Sequence, residues 1–249
     1  MYRTRVIPCL LLRGNGLVKT KKFKDAVYVG DPVNAMRIFS EKEADEIVVL
    51  DIDASREGRE PNYELISEMA GEAFMPMAYG GGVRTLNQVR QLIRSGIEKV
   101  VINTAATESA GLIRAVADVY GSQAVVGAVD VKKTLFGGYR IVTKSATVDT
   151  KLDLQEHVRS LAQAGAGEIL VNSVDRDGMM AGYDLPLIQM VAQSVNVPVV
   201  ACGGAGSVEH LRQAVKEGGA SAVAAGSMFV FHGKHRAVLI NYPKDIEFT

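Results

Sequence analysis

Two blocks of this chain occur twice. E-I-V-V-L-D-I-D-A-S-R-E-G from Glu46 returns in altered form as E-I-L-V-N-S-V-D-R-D-G from Glu168, and P-M-A-Y-G-G-G-V-R from Pro76 returns as P-V-V-A-C-G-G-A-G from Pro198. Both offsets are 122 residues (168 − 46 and 198 − 76), about half of the 249-residue chain. Any fold must therefore place two similar halves in register.

Short β-branched runs alternate with longer amphipathic segments along both halves. The strand candidates are V-I-P-C-L-L, E-I-V-V-L-D-I, F-M-P-M-A-Y, K-V-V-I-N, A-V-V-G-A-V-D, E-I-L-V-N-S-V, V-P-V-V-A-C and A-V-A-A-G. Between them lie helix-period segments such as L-N-Q-V-R-Q-L-I-R-S-G and V-E-H-L-R-Q-A-V-K-E-G-G, several ending at glycine, as at Gly96, Gly121, Gly165 and Gly218. Near-continuous apolar strands imply a parallel sheet covered on both faces. An open doubly wound sheet fits the alternation, but two halves with exposed sheet edges satisfy one another by closing into a ring. The expected fold is α/β, a single (β/α)8 TIM barrel over residues 1–249, with half-barrels of roughly 1–121 and 122–249.

Composition narrows the function. The 28 basic and 28 acidic side chains cancel, so net charge offers nothing to nucleic acid or an anionic membrane. No apolar run reaches the ~18 residues that suggest a membrane span. Cys9 and Cys202 lie far apart inside apolar runs, as buried thiols of a reducing compartment do, and the expected location is the cytoplasm. His157, His210, His232 and His235 have no metal-ligand spacing, and no metal site is expected.

In such a barrel the chemistry sits where strands lead into helices. Gly80-Gly81-Gly82 follows the third strand candidate, Asn103-Thr104 the fourth, Gly203-Gly204 the seventh and Ala225-Gly226-Ser227 the eighth. Small residues there let backbone N–H groups approach a phosphate. Turns need glycine anyway, but one such site in each half suits a ligand with a phosphate at each end.

V-I-P-C-L, L-D-I-D-A-S, Y-G-G-G-V-R, V-I-N-T-A-A, S-V-D-R-D-G-M-M-A-G-Y-D and A-C-G-G-A-G, in this order and spacing, resemble the cyclase subunit of imidazole glycerol phosphate synthase from about Arg3 to Gly226. A sister barrel, the histidine-pathway isomerase, is a weaker match. The resemblance implies a heterodimer with a glutaminase, ammonia passed through the barrel, a bisphosphorylated nucleotide-type substrate, and no metal or organic cofactor. Position by position it implies phosphate contacts at Gly82, Asn103 and Thr104 in one half and at Gly203, Gly204, Ala225 and Gly226 in the other. Serine is usual in the family where Gly226 stands. Asp51 and Asp177 match active-site polar positions, and Lys19 a basic residue on a mobile first loop.

Asp130 matches one of the family's two catalytic acids, while Leu11 occupies the position of the other. Ring closure with loss of a leaving fragment needs paired proton transfers, and leucine can neither give nor take a proton. Losing a positioned acid or base costs about 10²–10⁴ in rate. The cyclase step is expected to be impaired, unless Asp51 or Asp177 substitutes.

Arg5, Glu46, Lys99 and Glu168 stand at the N-terminal ends of the first, second, fourth and sixth strand candidates. They match the family's ring of charges used as an ammonia gate, and two cations with two anions sum to zero, as a ring near a low-dielectric axis should. Taken singly, such charges are ordinary strand starts. Glu98 matches an acidic docking position for the glutaminase. Three readings follow: an active synthase subunit; an ammonia-channelling subunit serving a separate sugar amidotransferase of surface-polysaccharide biosynthesis, as some paralogues do; and a phosphate-binding barrel with no ammonia role. The G-G-Y-R-I-V-T-K stretch near Gly137 reads as a hairpin after the fifth strand, and the ending F-V-F-H-G-K-H-R-A-V-L-I-N-Y-P-K-D-I-E-F-T replaces the family's longer last helix.

Overall fold

The computed structural model describes residues 4–233, 235–243 and 246–248; Arg3, where the resemblance begins, and Lys234, Lys244, Asp245 and Thr249 of the ending lie outside them. In chain order the elements are β1 (Arg5–Arg13), β2 (Gly16–Lys21), β3 (Lys24–Gly30), α1 (Pro32–Glu41), β4 (Ile47–Asp51), α2 (Ala54–Glu57), α3 (Tyr63–Glu72), β5 (Met77–Gly80), α4 (Leu86–Arg94), β6 (Lys99–Ile102), α5 (Thr104–Glu108) and α6 (Gly111–Tyr120). The second half continues with β7 (Val125–Lys133), β8 (Tyr139–Thr143), β9 (Val148–Asp149), α7 (Leu154–Gln163), β10 (Glu168–Ser173), α8 (Leu185–Ala192), β11 (Val199–Cys202), α9 (Val208–Lys216), β12 (Ala222–Ala225), α10 (Ser227–Val230), β13 (Phe231–His232) and β14 (Ala237–Val238).

Parallel pairing runs β1-β4-β5-β6-β7-β10-β11-β12 and returns from β12 to β1, closing an eight-strand ring. The fold is the expected single (β/α)8 barrel. Its strands are apolar throughout because alternate residues serve two cores. Val6, Leu10 and Leu12 of β1 join the layer between sheet and helices; Ile7 and Cys9 join a separate cluster inside the barrel with Val48, Ala78, Val101, Val126, Leu170 and Val200, against which Leu11 packs. Fully burying a large apolar side chain such as Phe39 or Leu92 stabilises the outer layer by about 1.5–3 kcal/mol each.

Helix starts follow local chemistry. Asp31, Asn62, Thr85, Asp153, Asp184 and Ser207 cap α1, α3, α4, α7, α8 and α9 through their side chains, and Thr85 with Gln88 forms a capping box. Gly96, Gly121 and Gly165 take positive φ, as expected, but at the end of α9 the second glycine, Gly219, does so in place of Gly218. The first strand also runs two residues beyond its expected end at Leu11, because Leu12 and Arg13 pair with Leu17 and Gly16. What was expected as a mobile loop is the β2–β3 hairpin. After β7 the chain makes the expected hairpin with β8, which continues into β9. Among the described residues no long helix follows α10; the β13–β14 ribbon leads to Tyr242, buried on the outer layer, its hydroxyl donating to the Val6 carbonyl at 2.9 Å. No helix among the described residues is long and apolar enough to cross a membrane.

Candidate functional site

The C-terminal ends of the barrel strands open into a cavity of about 790 Å³. Every residue expected at the chemistry or at the phosphate loops lines it: Lys19, Asp51, Gly82, Asn103, Thr104, Asp130, Asp177, Gly203, Gly204, Ala225 and Gly226, with Leu11. Residues from both halves thus meet at one mouth.

Asp130 stands near the top of β7 with its side chain inward. Asn103 Nδ2 donates to its Oδ2 at 2.7 Å, and Asn172 Nδ2 donates to its Oδ1 at 3.2 Å. Burial pushes this carboxyl up to about 7; Asn172 pulls it down, Asp177 raises it and Asn103 pulls it down again. An acid poised there can give or accept a proton near neutral pH.

Leu11 lines the same cavity from β1, packed with Leu50 against the interior cluster. Neither of the two carboxyls expected as substitutes for an acid at position 11 is free. Asp51 Oδ1 accepts from the Asp53 and Ala54 amides at 3.1 and 2.9 Å, holding the turn into α2, and Arg59 reaches it at 3.4 Å. Asp177 Oδ2 accepts from Thr20 Oγ1 at 2.6 Å and from the Phe23 amide at 3.2 Å, while its carbonyl accepts from the Lys22 amide at 3.0 Å. Asp177 fastens the β2–β3 hairpin to the barrel mouth.

The hairpin carries Lys19 inward. Its ammonium is buried and donates to the Cys9 carbonyl, and burial pushes its pKa down. A side chain at 226 would collide with Lys19 Nζ, so the glycine there leaves room for this ammonium. Cys9 and Cys202 are free, buried and in contact; that contact and burial push the Cys202 thiol well up. Across the mouth Ser145, on the β8–β9 turn, donates to the Ile52 carbonyl and Lys132 Nζ reaches the Ala146 carbonyl at 3.3 Å, so the excursion after β7 covers part of the cavity.

The residues expected to contact phosphate stand in three settings. Asn103 and Gly226 precede α5 and α10, two short helices without side-chain caps. Gly203 and Gly204 turn the chain after β11 with φ of 86° and 121°. The Gly82 amide is already taken by Ser55 Oγ at 3.1 Å. No cluster of three or more metal-ligating acidic, histidine or cysteine side chains occurs among the described residues. Two site residues escaped the sequence reading. Asn172 had a legible signal, a polar residue inside an apolar strand at the inward parity of Glu168 and Leu170; Thr20 had none.

At the opposite end, the four expected charges close a ring of ion pairs. Arg5 bridges Glu46 and Glu168, the latter at 2.8 Å; Lys99 Nζ lies 2.8 Å from Glu46 Oε2 and 3.1 Å from Glu168 Oε1. The Glu168 contact and the Glu46 contact outweigh burial and hold the Arg5 guanidinium above its ordinary value, burial being the largest single influence and opposing them. Between ring and mouth lies the apolar interior cluster. Exposed Glu98 sits beside this ring, its Oε2 accepting from the Met77 amide at 2.8 Å.

The histidine biosynthesis protein family model matches residues 5–236. The chain is 56% identical over 243 residues to the putative imidazole glycerol phosphate synthase subunit hisF2 of Pseudomonas aeruginosa, covering 98% of this chain and 97% of that one. It is 47% identical over 248 residues to the putative subunit hisF3 of Vibrio vulnificus, covering 99% and 95%. The imidazole glycerol phosphate synthase subunit HisF of Caulobacter vibrioides shares 46% over 232 residues, covering 93% and 89%.

Proposed function

This chain belongs to the histidine biosynthesis protein family, among relatives named as HisF subunits of imidazole glycerol phosphate synthase, and on that premise we propose that it is the barrel subunit of a glutamine-dependent complex. A partner glutaminase docks on the face bearing Glu98 and the charge ring, and ammonia enters past Arg5, Glu46, Lys99 and Glu168. The ammonia crosses the apolar interior as the neutral molecule, because a dry lining disfavours the charged form. It emerges beside Asp130, in a cavity whose two phosphate loops hold an anionic ligand. The acceptor is a sugar bound by a separate amidotransferase, in surface-polysaccharide synthesis.

One observation carries this reading: the charge ring is complete while the acid opposite Asp130 is Leu11, with Asp51 and Asp177 committed to other donors. Entry is equipped and the second proton transfer is not. The test is co-purification with the co-encoded glutaminase, scored by glutamine hydrolysis with and without the barrel. Stimulation on binding supports the proposal; no binding and no stimulation remove it.

A second reading, an active cyclase of histidine biosynthesis, draws support from the tuned Asp130 and the phosphate loops. It requires one acid to do the work of two, and rescue of a histidine auxotroph would favour it. If the chain is a phosphate-binding barrel without ammonia, reversing the charge at Lys99 or Glu168 will leave its function unchanged.

A further inference from the structure

The amide of Asn172 lies between the Asp130 carboxylate and the glycine turn after β11. On one side it donates to Asp130 Oδ1 at 3.2 Å, from the position directly paired with Asp130 across β10 and β7. On the other side its carbonyl oxygen points at Gly203. A β-carbon at 203 would stand 2.6 Å from Asn172 Oδ1 and 2.7 Å from the Ser173 carbonyl, so a larger residue would push the amide aside. That oxygen is buried with no hydrogen-bond partner among the described residues. Turned the other way, the amide would place its oxygen against a carboxylate oxygen, two acceptors with no proton between them when Asp130 is ionised.

We propose that Asn172 is a positioning residue for Asp130, seated by Gly203: the absent side chain at 203 lets the amide oxygen turn away, so that its N–H holds the carboxylate ionised and fixed in the cavity. Gly203 thereby does more than shape a phosphate turn. Burial and Asp177 act against the ionised form, and the amides of Asn172 and Asn103, one on each carboxylate oxygen, oppose them. The titratable groups facing Asp130 are Asp177 from the loop after β10 and the Cys9 thiol from β1, with Lys19 of β2 on the Cys9 carbonyl. None of them donates a hydrogen bond to Asp130 in its place.

The inference rests on Asp130 being the working acid of the site and not on where ammonia goes. It is tested on the free barrel by following the Asp130 carboxyl carbon by NMR across pH, in Asn172→Thr and Asn172→Val, which share a shape and differ by one hydroxyl donor. The Val variant should raise the Asp130 midpoint by about one to two pH units, while the Thr variant stays within about half a unit of wild type. Asn172→Ser against Asn172→Ala repeats the comparison without β-branching, should the first pair not fold. Gly203→Ala, checked for native circular dichroism, should follow Val. Equal midpoints within a folded pair overturn the role of Asn172, and a wild-type midpoint in Gly203→Ala overturns the seating. Partner binding is measured separately, so failure here leaves the conduit reading standing, and the reverse.

Discussion

Leu11 and Asp130 stand on the first and fifth strands of the eight-strand ring, and both side chains line the one cavity at its mouth. One is packed with Leu50 on the interior cluster, and the other is held by two amides and pushed up to about 7. The site therefore has a proton-handling side and an apolar side. An acid placed at position 11 should give that side a proton-handling group. Leu11→Asp is expected to raise imidazole-forming turnover with free ammonia at least about tenfold. The new carboxyl would sit among Leu50, Cys9 and Cys202, so the variant should unfold at lower denaturant, measured in parallel. Unchanged turnover in a folded variant would show that residue 11 does not limit the reaction.

Burial of Asp130 has a signed effect on stability. Its folded pKa, about 7, lies above the ordinary 3.8, so between those values the native state holds a proton that the unfolded chain has lost. Stability contributed by the protonated group is full below about 4 and is lost as pH rises through about 7. Asp130→Asn removes this dependence. At pH 8 the variant should be more stable than wild type by an amount on the order of 1–4 kcal/mol, shrinking toward pH 4, as read from urea unfolding across pH.

The carboxylate of Asp177 fastens a hairpin rich in trypsin sites, Lys21, Lys22 and Lys24. Asp177→Ala and Thr20→Val should each loosen it. Limited trypsinolysis there should quicken by about tenfold or more for Asp177→Ala and by less for Thr20→Val, since a hydrogen bond to a charged group contributes about 1.5–3 kcal/mol. Cleavage at the wild-type rate in both would mean that the hairpin stays shut without the latch.

In the charge ring each anion touches both cations. Removing one charge leaves an excess in a partly buried cluster. Glu46→Gln is expected to lower unfolding free energy by about 1–3 kcal/mol, less than for a fully buried pair because Arg5 keeps some solvent contact. Lys99→Met alone should cost a similar amount, and the double variant less than the two combined, as chemical denaturation of the cycle would show.

The barrel itself was readable from the sequence, because a strand buried on both faces must be apolar throughout and the 122-residue repeat sets the halves in register. The ring of Arg5, Glu46, Lys99 and Glu168 was readable as positions but not as contacts. The latch was hidden: Thr20 and Asp177 are 157 residues apart and meet only because the hairpin folds over the mouth. Likewise, Asp51 and Asp177 look equally available as spare acids until their donors are seen. The extension of β1 through Arg13 depends on pairing with β2, a tertiary outcome that the local run L-L-L-R-G-N-G does not specify. Asn172 could have been found by parity alone.

On the proposed function, this barrel has kept its entry and lost its cyclase step. The most direct measurement is steady-state turnover of the purified chain with the bisphosphorylated histidine-pathway intermediate and free ammonia, beside a family barrel carrying both acids. A rate at least about 10²-fold below that barrel, with Asp130 intact and the fold native, is the predicted result. Turnover at the same speed would contradict it.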